Sequence, residues 1–338
     1  MRKSQKIILI WILVICLFIA WWSIFGWIKI QKKEKIQIFD PIYAISQIEN
    51  IEWKMYSSPR DMWFFLDIIW QAQKNLYLEI YEFTEQTIRD LFDTLLQNWV
   101  EIKIIMEDQK YSQFKNTFRE VRDLFSGYDN FDIKNDRQMK TNYVHAKFFL
   151  IDTGFLIQTS NMTKSAFTTN REYFFYSEHS GIWHSLYTIF DKDRNWETIK
   201  TQDIHPNLLV CPINCRSVLE YLIESAEESI IIENQYIEDP KLLELIEEKI
   251  EILDKWAIKI NLPDTELNQE LQNKRWKSII SLIKKPYIHS KMMLIDNQIL
   301  YLWSINFSTN SMDNNREIWI LLTDPILIKQ FLSVFAKK

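Results

Sequence analysis

The chain's polarity pattern opens with Ile7 to Ile28, 22 residues without a charge, preceded by Arg2, Lys3 and Lys6 and followed by Lys29, Lys32, Lys33 and Lys35. At about 1.5 Å per residue, a helix of that length spans roughly 33 Å, enough for the hydrocarbon core of a bilayer. The stretch exceeds the apolar region of a signal peptide and no small-x-small cleavage site follows it, so it is expected to persist as an anchor. Basic residues flank both ends, which leaves its orientation open. Every later apolar run is broken by charge within about a dozen residues, too short to span. The pattern therefore divides the chain into a basic tail (1–6), a transmembrane anchor (7–28), a polar linker (29–50) and a remainder expected to be water-soluble.

Within that remainder the periodicities recur in the same order twice. Apolar residues at helical spacing in Phe64 to Ala72, and again in Ser217 to Ala226, precede strand-like runs at Leu76 to Tyr81 and Ile230 to Tyr236. An amphipathic helix follows each (Thr87 to Asn98, Pro240 to Leu253), then a further strand (Val100 to Ile105, Ala257 to Ile260). The clearest repeat comes next. Val144-His-Ala-Lys-Phe-Phe-Leu-Ile-Asp152 matches Ile288-His-Ser-Lys-Met-Met-Leu-Ile-Asp296, and both continue to Asn161 or Asn306 and to an Asn-Arg-Glu triplet. The step from His to the triplet's Glu is 27 residues in one copy and 28 in the other. The order predicts an α/β protein of two pseudo-twofold-related α/β/α repeats, 51–205 and 206–338, with mixed sheets forming one shared active site.

In a strand, residues i and i+2 project from one face, so His145 with Lys147, and His289 with Lys291, each present an imidazole and an ammonium to the same space. The imidazole can act as nucleophile or general acid–base near neutral pH, and the ammonium supplies a fixed charge for a phosphate oxygen. A single His-x-Lys is ordinarily a surface strand. Two copies that keep the same His, Lys, Asp, Asn and Asn-Arg-Glu amid diverged sequence are not a requirement of packing.

This pattern resembles the His-x-Lys-x4-Asp motif, followed by Gly-Ser-x-Asn, of the phospholipase D superfamily, and the resemblance covers residues 51 to 338. One copy reads His145, Lys147, Asp152, then Gln158-Thr159-Ser160-Asn161; the other reads His289, Lys291, Asp296, then Trp303-Ser304-Ile305-Asn306. The resemblance implies a two-step transfer at phosphorus with neither metal nor cofactor. One histidine attacks to give a phosphohistidine; the other protonates the leaving alcohol and then activates water or an acceptor alcohol. Analogy makes His145 the nucleophile and His289 the acid, a choice that the symmetry of the two copies does not decide. Lys147, Lys291, Asn161 and Asn306, with Thr159 and Ser304, are expected to hold the phosphate oxygens. Glu172 and Glu317 are suited to accept a ring N–H, while Asp152 and Asp296 support the motif rather than touch substrate.

Composition adjusts this reading at three points. A formal charge of −5 provides no global field for nucleic acid, although Lys274-Arg-Trp-Lys277 and Lys284-Lys285 ahead of His289 offer either a local phosphate track or a solvated face. Two substrate classes follow: phospholipid, favoured by the anchor, or nucleic acid, with cardiolipin-synthase-like transfer as a variant of the first. A phosphate-binding scaffold with dead motifs is disfavoured by the intact pair, no obligate protein partner is evident, and a single-pass position in the cell membrane is expected. Second, Cys16 lies in the apolar run, while Cys211 and Cys215 have no nearby histidine and read as small buried hydrophobes rather than a zinc site or disulfide framework. Third, the chain has 4 glycines and 14 tryptophans, against a usual glycine share of about 7%. Trp99 and Trp256 sit in helix-to-strand turns, and Trp303 and Trp319 stand where the superfamily pattern carries glycine. Because some bacterial lineages read UGA as glycine, all four are expected to be glycine in the native protein.

Overall fold

A computed structural model describes residues 40–337 except 61, 109–116, 255 and 305; the expected tail and anchor and most of the linker lie outside the described residues. Among the described residues no helix is long and apolar enough to cross a membrane. The first half runs α1 (Pro41–Ser46), β1 (Lys54–Ser57), α2 (Trp63–Trp70), β2 (Asn75–Ile80), α3 (Gln86–Gln97), β3 (Glu101–Met106), α4 (Thr117–Phe125), β4 (Phe131–Asn135), β5 (Phe148–Ile151), β6 (Gly154–Gln158), α5 (Lys164–Thr168), β7 (Asn170–Arg171), β8 (Tyr173–Ser177) and α6 (Ser180–Arg194). The second runs β9 (Leu208–Cys211), α7 (Cys215–Ser225), β10 (Ile230–Glu233), α8 (Pro240–Ile252), β11 (Ile258–Pro263), α9 (Glu266–Lys274), β12 (Ile280–Ile283), β13 (Tyr287–Ile288), β14 (Met292–Ile295), β15 (Ile299–Trp303), α10 (Thr309–Asp313), β16 (Glu317–Leu322) and α11 (Pro325–Phe335).

The two large sheets have equivalent strand orders, β1-β8-β6-β5-β2-β3-β4 and β9-β16-β15-β14-β10-β11-β12. In each, the last three strands run parallel and the others antiparallel, so the sheets are mixed and the internal repeat extends to strand direction. Helix boundaries follow local chemistry. Asp239 and Asp324 each accept two backbone N–H groups at the start of α8 and α11, with proline at the first helical position.

Burial in β5 alternates between two cores. Phe148 and Leu150 enter one shared with Met292, Leu294 and the inner faces of α6 and α11. Phe149 and Ile151 enter the other, beneath α2, α3 and α4. Burial on both faces is why the motif strands read as unbroken apolar runs, Phe-Phe-Leu-Ile and Met-Met-Leu-Ile. Regular strand nevertheless begins only at Phe148 and Met292, later than the pattern predicts. The His-x-Lys segments just ahead leave their own sheets and meet the Asn-Arg-Glu segment of the opposite repeat. Val144 bridges Arg316, and β13 pairs with β7.

Two expectations change here. Cys211, at the end of β9, and Cys215, at the start of α7, are buried as expected but joined in a disulfide, because the intervening turn brings their Cα atoms to 5.2 Å. Trp303 and Trp319 are opposed strand residues of β15 and β16, so no turn at either position calls for glycine; Trp256 lies exposed in the turn before β11. Trp99 behaves as expected: it follows α3 with φ 63°. Its N–H bonds to Leu96 O (3.0 Å) and that of Val100 to Leu95 O (3.0 Å), the Schellman arrangement that usually ends in glycine. Trp196, not singled out from the sequence, repeats this after α6 with φ 57° and bonds from its own N–H to Asp193 O (3.2 Å) and from Glu197 N–H to Lys192 O (2.8 Å). Left-handed backbone costs a non-glycine residue about 1–2 kcal/mol, so Trp99→Gly and Trp196→Gly should each stabilise the fold by about 1 kcal/mol. Calorimetry should show a small rise in Tm for each, whereas Trp319→Gly, which empties a core position, should cost about 3–5 kcal/mol.

Candidate active site

The histidine–glutamate pairs form across the repeats. His145 Nδ1 lies 2.8 and 3.0 Å from the two Glu317 carboxylate oxygens, and His289 Nδ1 lies 2.5 Å from Glu172. Each histidine is thus served by the glutamate of the other half. The backbone enforces the exchange, since His145 N–H donates to Arg316 O (2.8 Å) and His289 N–H to Arg171 O (3.3 Å). Engagement at Nδ1 fixes each ring and leaves Nε2 as the nitrogen available for chemistry.

The glutamates are held in turn. Thr159 donates to Glu172 (2.5 Å) and Ser304 to Glu317, while Asn170 and Asn315 donate from their amides at 3.3 and 3.5 Å. Thr159 and Ser304, expected at the phosphate, therefore turn their buried hydroxyls toward the glutamates instead. Lys147 and Lys291 are buried, and each donates to the carbonyl of its own motif's histidine, Lys147 at 2.8 Å. Asn161 and Asn306 each keep Oδ1 buried without a hydrogen-bond partner among the described residues. Asp152 accepts from the N–H groups of Gln73, Lys74 and Asn75 at 2.8–3.0 Å, and Asp296 from those of Glu227, Glu228 and Ser229 at 2.7–3.0 Å. These aspartates tie the far end of each motif strand to the turn that starts the neighbouring strand.

Burial dominates the site's proton affinities. It takes His145 down to about 4, with Glu317 pulling upward and Lys147 and Lys291 pushing downward. His289 is lowered for the same reason, against Glu172. Lys147 falls to about 7 and Lys291 to about 8, again through burial against the pull of both glutamates. Burial alone would raise Glu172 and Glu317, but the histidine and lysine beside each outweigh it and hold both low. Lys291 acts on His145 and Lys147 on His289, so the two motifs share one electrostatic site. A lysine with a lowered pKa is cationic below that value and loses its charge above it. Affinity for sulfate, an anion that does not itself titrate near neutrality, should therefore fall by about tenfold or more between pH 6 and pH 9.5, as charged hydrogen bonds of roughly 1.5–3 kcal/mol are lost. Calorimetric titration at constant ionic strength would read it, and a flat profile would show that the lysines stay charged.

The sequence reading gave no role to the triplet's arginines. Arg316 makes a two-point contact with buried Asp193 (2.7 and 3.0 Å) and donates to Cys211 O (2.6 Å), beside Glu79, whose carboxyl burial pushes well up. Arg171 donates to Glu233 (2.8 Å), which also accepts from Ser290 (2.5 Å). Glu79 and Glu233 occupy equivalent places in β2 and β10, each opposite the first residue of its motif strand, Phe148 or Met292. A repeated acidic residue inside an otherwise apolar strand was the available signal. Tyr81, packed edge-on against the His145 ring at 5.1 Å between centroids, gave no such signal because nothing in the second copy matches it.

Both halves match the family model described as cardiolipin synthase, PLD-like domain, over residues 65–194 and 219–338. Among solved structures, phosphatidylserine synthase from Haemophilus influenzae Rd KW20 is similar with a TM-score of 0.66 at 12% identity, covering 88% of this chain and 90% of its own. Polyphosphate kinase from Porphyromonas gingivalis is similar with a TM-score of 0.64 at 15% identity, covering 84% of this chain and 50% of its own, so this chain spans about half the length of that kinase. At these identities the likeness shows a common fold. No curated protein matches the chain. The duplicated sheets, the crossed histidine–glutamate pairs and a family match in each half agree: the chain belongs to the phospholipase D superfamily, in its cardiolipin synthase, PLD-like family.

Proposed function

We propose that this chain is a membrane-anchored phosphodiesterase that hydrolyses or transfers the phosphodiester of a phospholipid through a phosphohistidine. The observation that carries the reading is the pair of crossed histidine–glutamate contacts beside two buried lysines. His145, neutral at physiological pH and oriented by Glu317, attacks phosphorus through Nε2; the N–P bond forms as the bond to the leaving alcohol breaks. His289, whose imidazolium Glu172 stabilises, gives its proton to that alcohol. It then takes a proton from water or an acceptor alcohol, whose oxygen displaces His145. Lys147 and Lys291 balance the charge on the equatorial oxygens, and the anionic substrate in turn favours the protonated forms of both lysines and of His289. Thr159 and Ser304 act on the glutamates, and Asn161 and Asn306 contact the phosphate oxygens through their side-chain N–H groups.

Lipid is favoured over nucleic acid on two grounds. The uncharged stretch from Ile7 to Ile28 keeps the site close to a bilayer. Three of the five basic residues ahead of His289 have an acidic neighbour, Lys274 with Glu270, Arg275 with Glu247 (2.6 Å) and Lys284 with Asp264 (4.0 Å), which weakens the run as a phosphate track. Full-length protein in mixed micelles should release labelled head group from phospholipid, or form a new phosphodiester when glycerol is supplied, with the rate unchanged by EDTA. Cleavage of single- or double-stranded DNA with no action on lipid would replace the proposal with a nuclease.

A further inference from the structure

The chain has 5 histidines. Two serve the phosphate site, and another two, His179 and His205, converge on a single carboxylate far from the motifs in sequence. His179 Nε2 lies 3.2 Å from one oxygen of Glu49 and His205 Nε2 lies 3.8 Å from the other; the three donor atoms lie within 4.8 Å of one another. Bonds of about 2.0–2.1 Å in a tetrahedral zinc site put neighbouring donors roughly 3.3 Å apart, so these atoms already approach coordination spacing. We propose that Glu49, His179 and His205 form a binding site for a divalent transition-metal ion of the zinc class, with a fourth position left to water.

The three ligands come from three segments that the fold must hold together. Glu49 precedes β1, on the stretch that leads from the N-terminal part of the chain; His179 caps α6; His205 lies between α6 and β9, where one repeat gives way to the next. Each is placed by other bonds. Glu49 exchanges two hydrogen bonds with Asn207, its N–H donating to Oδ1 and its carbonyl accepting from Nδ2, both at 3.0 Å. His205 N–H donates to Ser185 Oγ at 2.9 Å. Gly181, one of the 4 glycines in the chain, is the third feature. A Cβ at 181 would lie 3.1 Å from His179 Cε1 and 3.2 Å from His205 Nε2, so a side chain there would crowd both rings.

Without metal, both Nδ1 atoms accept from backbone, His179 from Ile182 N–H at 3.3 Å and His205 from Asn207 N–H at 3.2 Å. The Nε2 hydrogens then face Glu49 from two sides. Loading moves each ring's proton to Nδ1, where it faces the backbone N–H that had been donating, so each ring must also turn slightly away; the two long bonds given up contribute little beside a metal–nitrogen bond. Two imidazoles and a carboxylate suit zinc rather than calcium or magnesium, which prefer oxygen alone. His179 also lines a cavity of about 360 Å³, together with Glu178, Trp53 and Lys54.

The test uses full-length protein in detergent, stripped by chelator and then titrated with Zn²⁺, and with Co²⁺ for its ligand-field spectrum. One equivalent of Zn²⁺ should bind at pH 7 and raise Tm, with Co²⁺ giving a spectrum of nitrogen and oxygen ligation. Glu49→Gln should weaken binding by about tenfold or more, and replacing His179 and His205 together by alanine should abolish it. Glu49 is exposed, so loss of binding in Glu49→Gln cannot be attributed to misfolding. The His145→Ala/His289→Ala protein should bind as wild type does. Absence of stoichiometric binding, binding unaffected by Glu49→Gln, or binding lost only in the catalytic double variant would each overturn the proposal.

Discussion

His145→Ala and His289→Ala are each expected to lower turnover of an ordinary phosphodiester by about 10,000-fold or more, but to fail at different steps. Loss of the nucleophile removes the only group that can form the N–P bond. Loss of the acid leaves attack possible whenever the leaving group needs no proton. With a p-nitrophenyl phosphodiester, His289→Ala should release about one equivalent of nitrophenol in a burst and then stop. The phosphoenzyme persists because no base remains to activate water. His145→Ala should show no burst and no trapped label. The opposite pattern would exchange the roles of the histidines while leaving the site intact.

Both rings are made less basic by burial, yet the carboxylate contact of His145 is split over two oxygens at 2.8 and 3.0 Å, whereas His289 has one oxygen of Glu172 at 2.5 Å. Each carboxylate favours the imidazolium of its own histidine, while burial opposes it. Placing His289 as the acid rests on the family resemblance, and the burst experiment tests it.

Local order was legible wherever one period dominated. The helix expected at Thr87 to Asn98 is found at Gln86–Gln97, and the strand expected at Val100 to Ile105 is found at Glu101–Met106, because amphipathic spacing and a strand buried on both faces leave few alternatives. The histidine partners were not legible. Offsets of 27 and 28 residues fit pairing within a repeat as well as pairing between repeats, and the choice is made by β13 lying against β7, a contact between the two halves. Thr159 and Ser304 fit a phosphate-binding reading until the glutamate beside each is located. Cys211 and Cys215 carried no hint of pairing, since the turn that joins them exists only once β9 and α7 have packed. Trp196 escaped notice because, although Asn195 precedes it as Asn98 precedes Trp99, no strand follows it closely to mark a helix-to-strand turn.

Crossing of the pairs makes a prediction that pairing within each repeat does not. Glu317→Gln should lower kcat/KM by about 100- to 10,000-fold, since an amide can still touch Nδ1 but no longer selects the tautomer or stabilises the positive ring. Because Glu317 lies in the second repeat but orients His145 in the first, this variant should slow the nucleophilic step and suppress the burst with the p-nitrophenyl substrate. Glu172→Gln should cost a similar factor on an ordinary substrate yet keep the burst, because it weakens only the acid and base work of His289. Glu317 also raises the proton affinity of His145, so its removal should move the imidazole titration of that residue, read by NMR, to lower pH. The position of His289 should stay nearly fixed. If each glutamate served the histidine of its own repeat, the two burst phenotypes would be interchanged. Measuring both variants beside His145→Ala and His289→Ala therefore tests the crossing itself, independently of which phosphodiester the native enzyme cleaves.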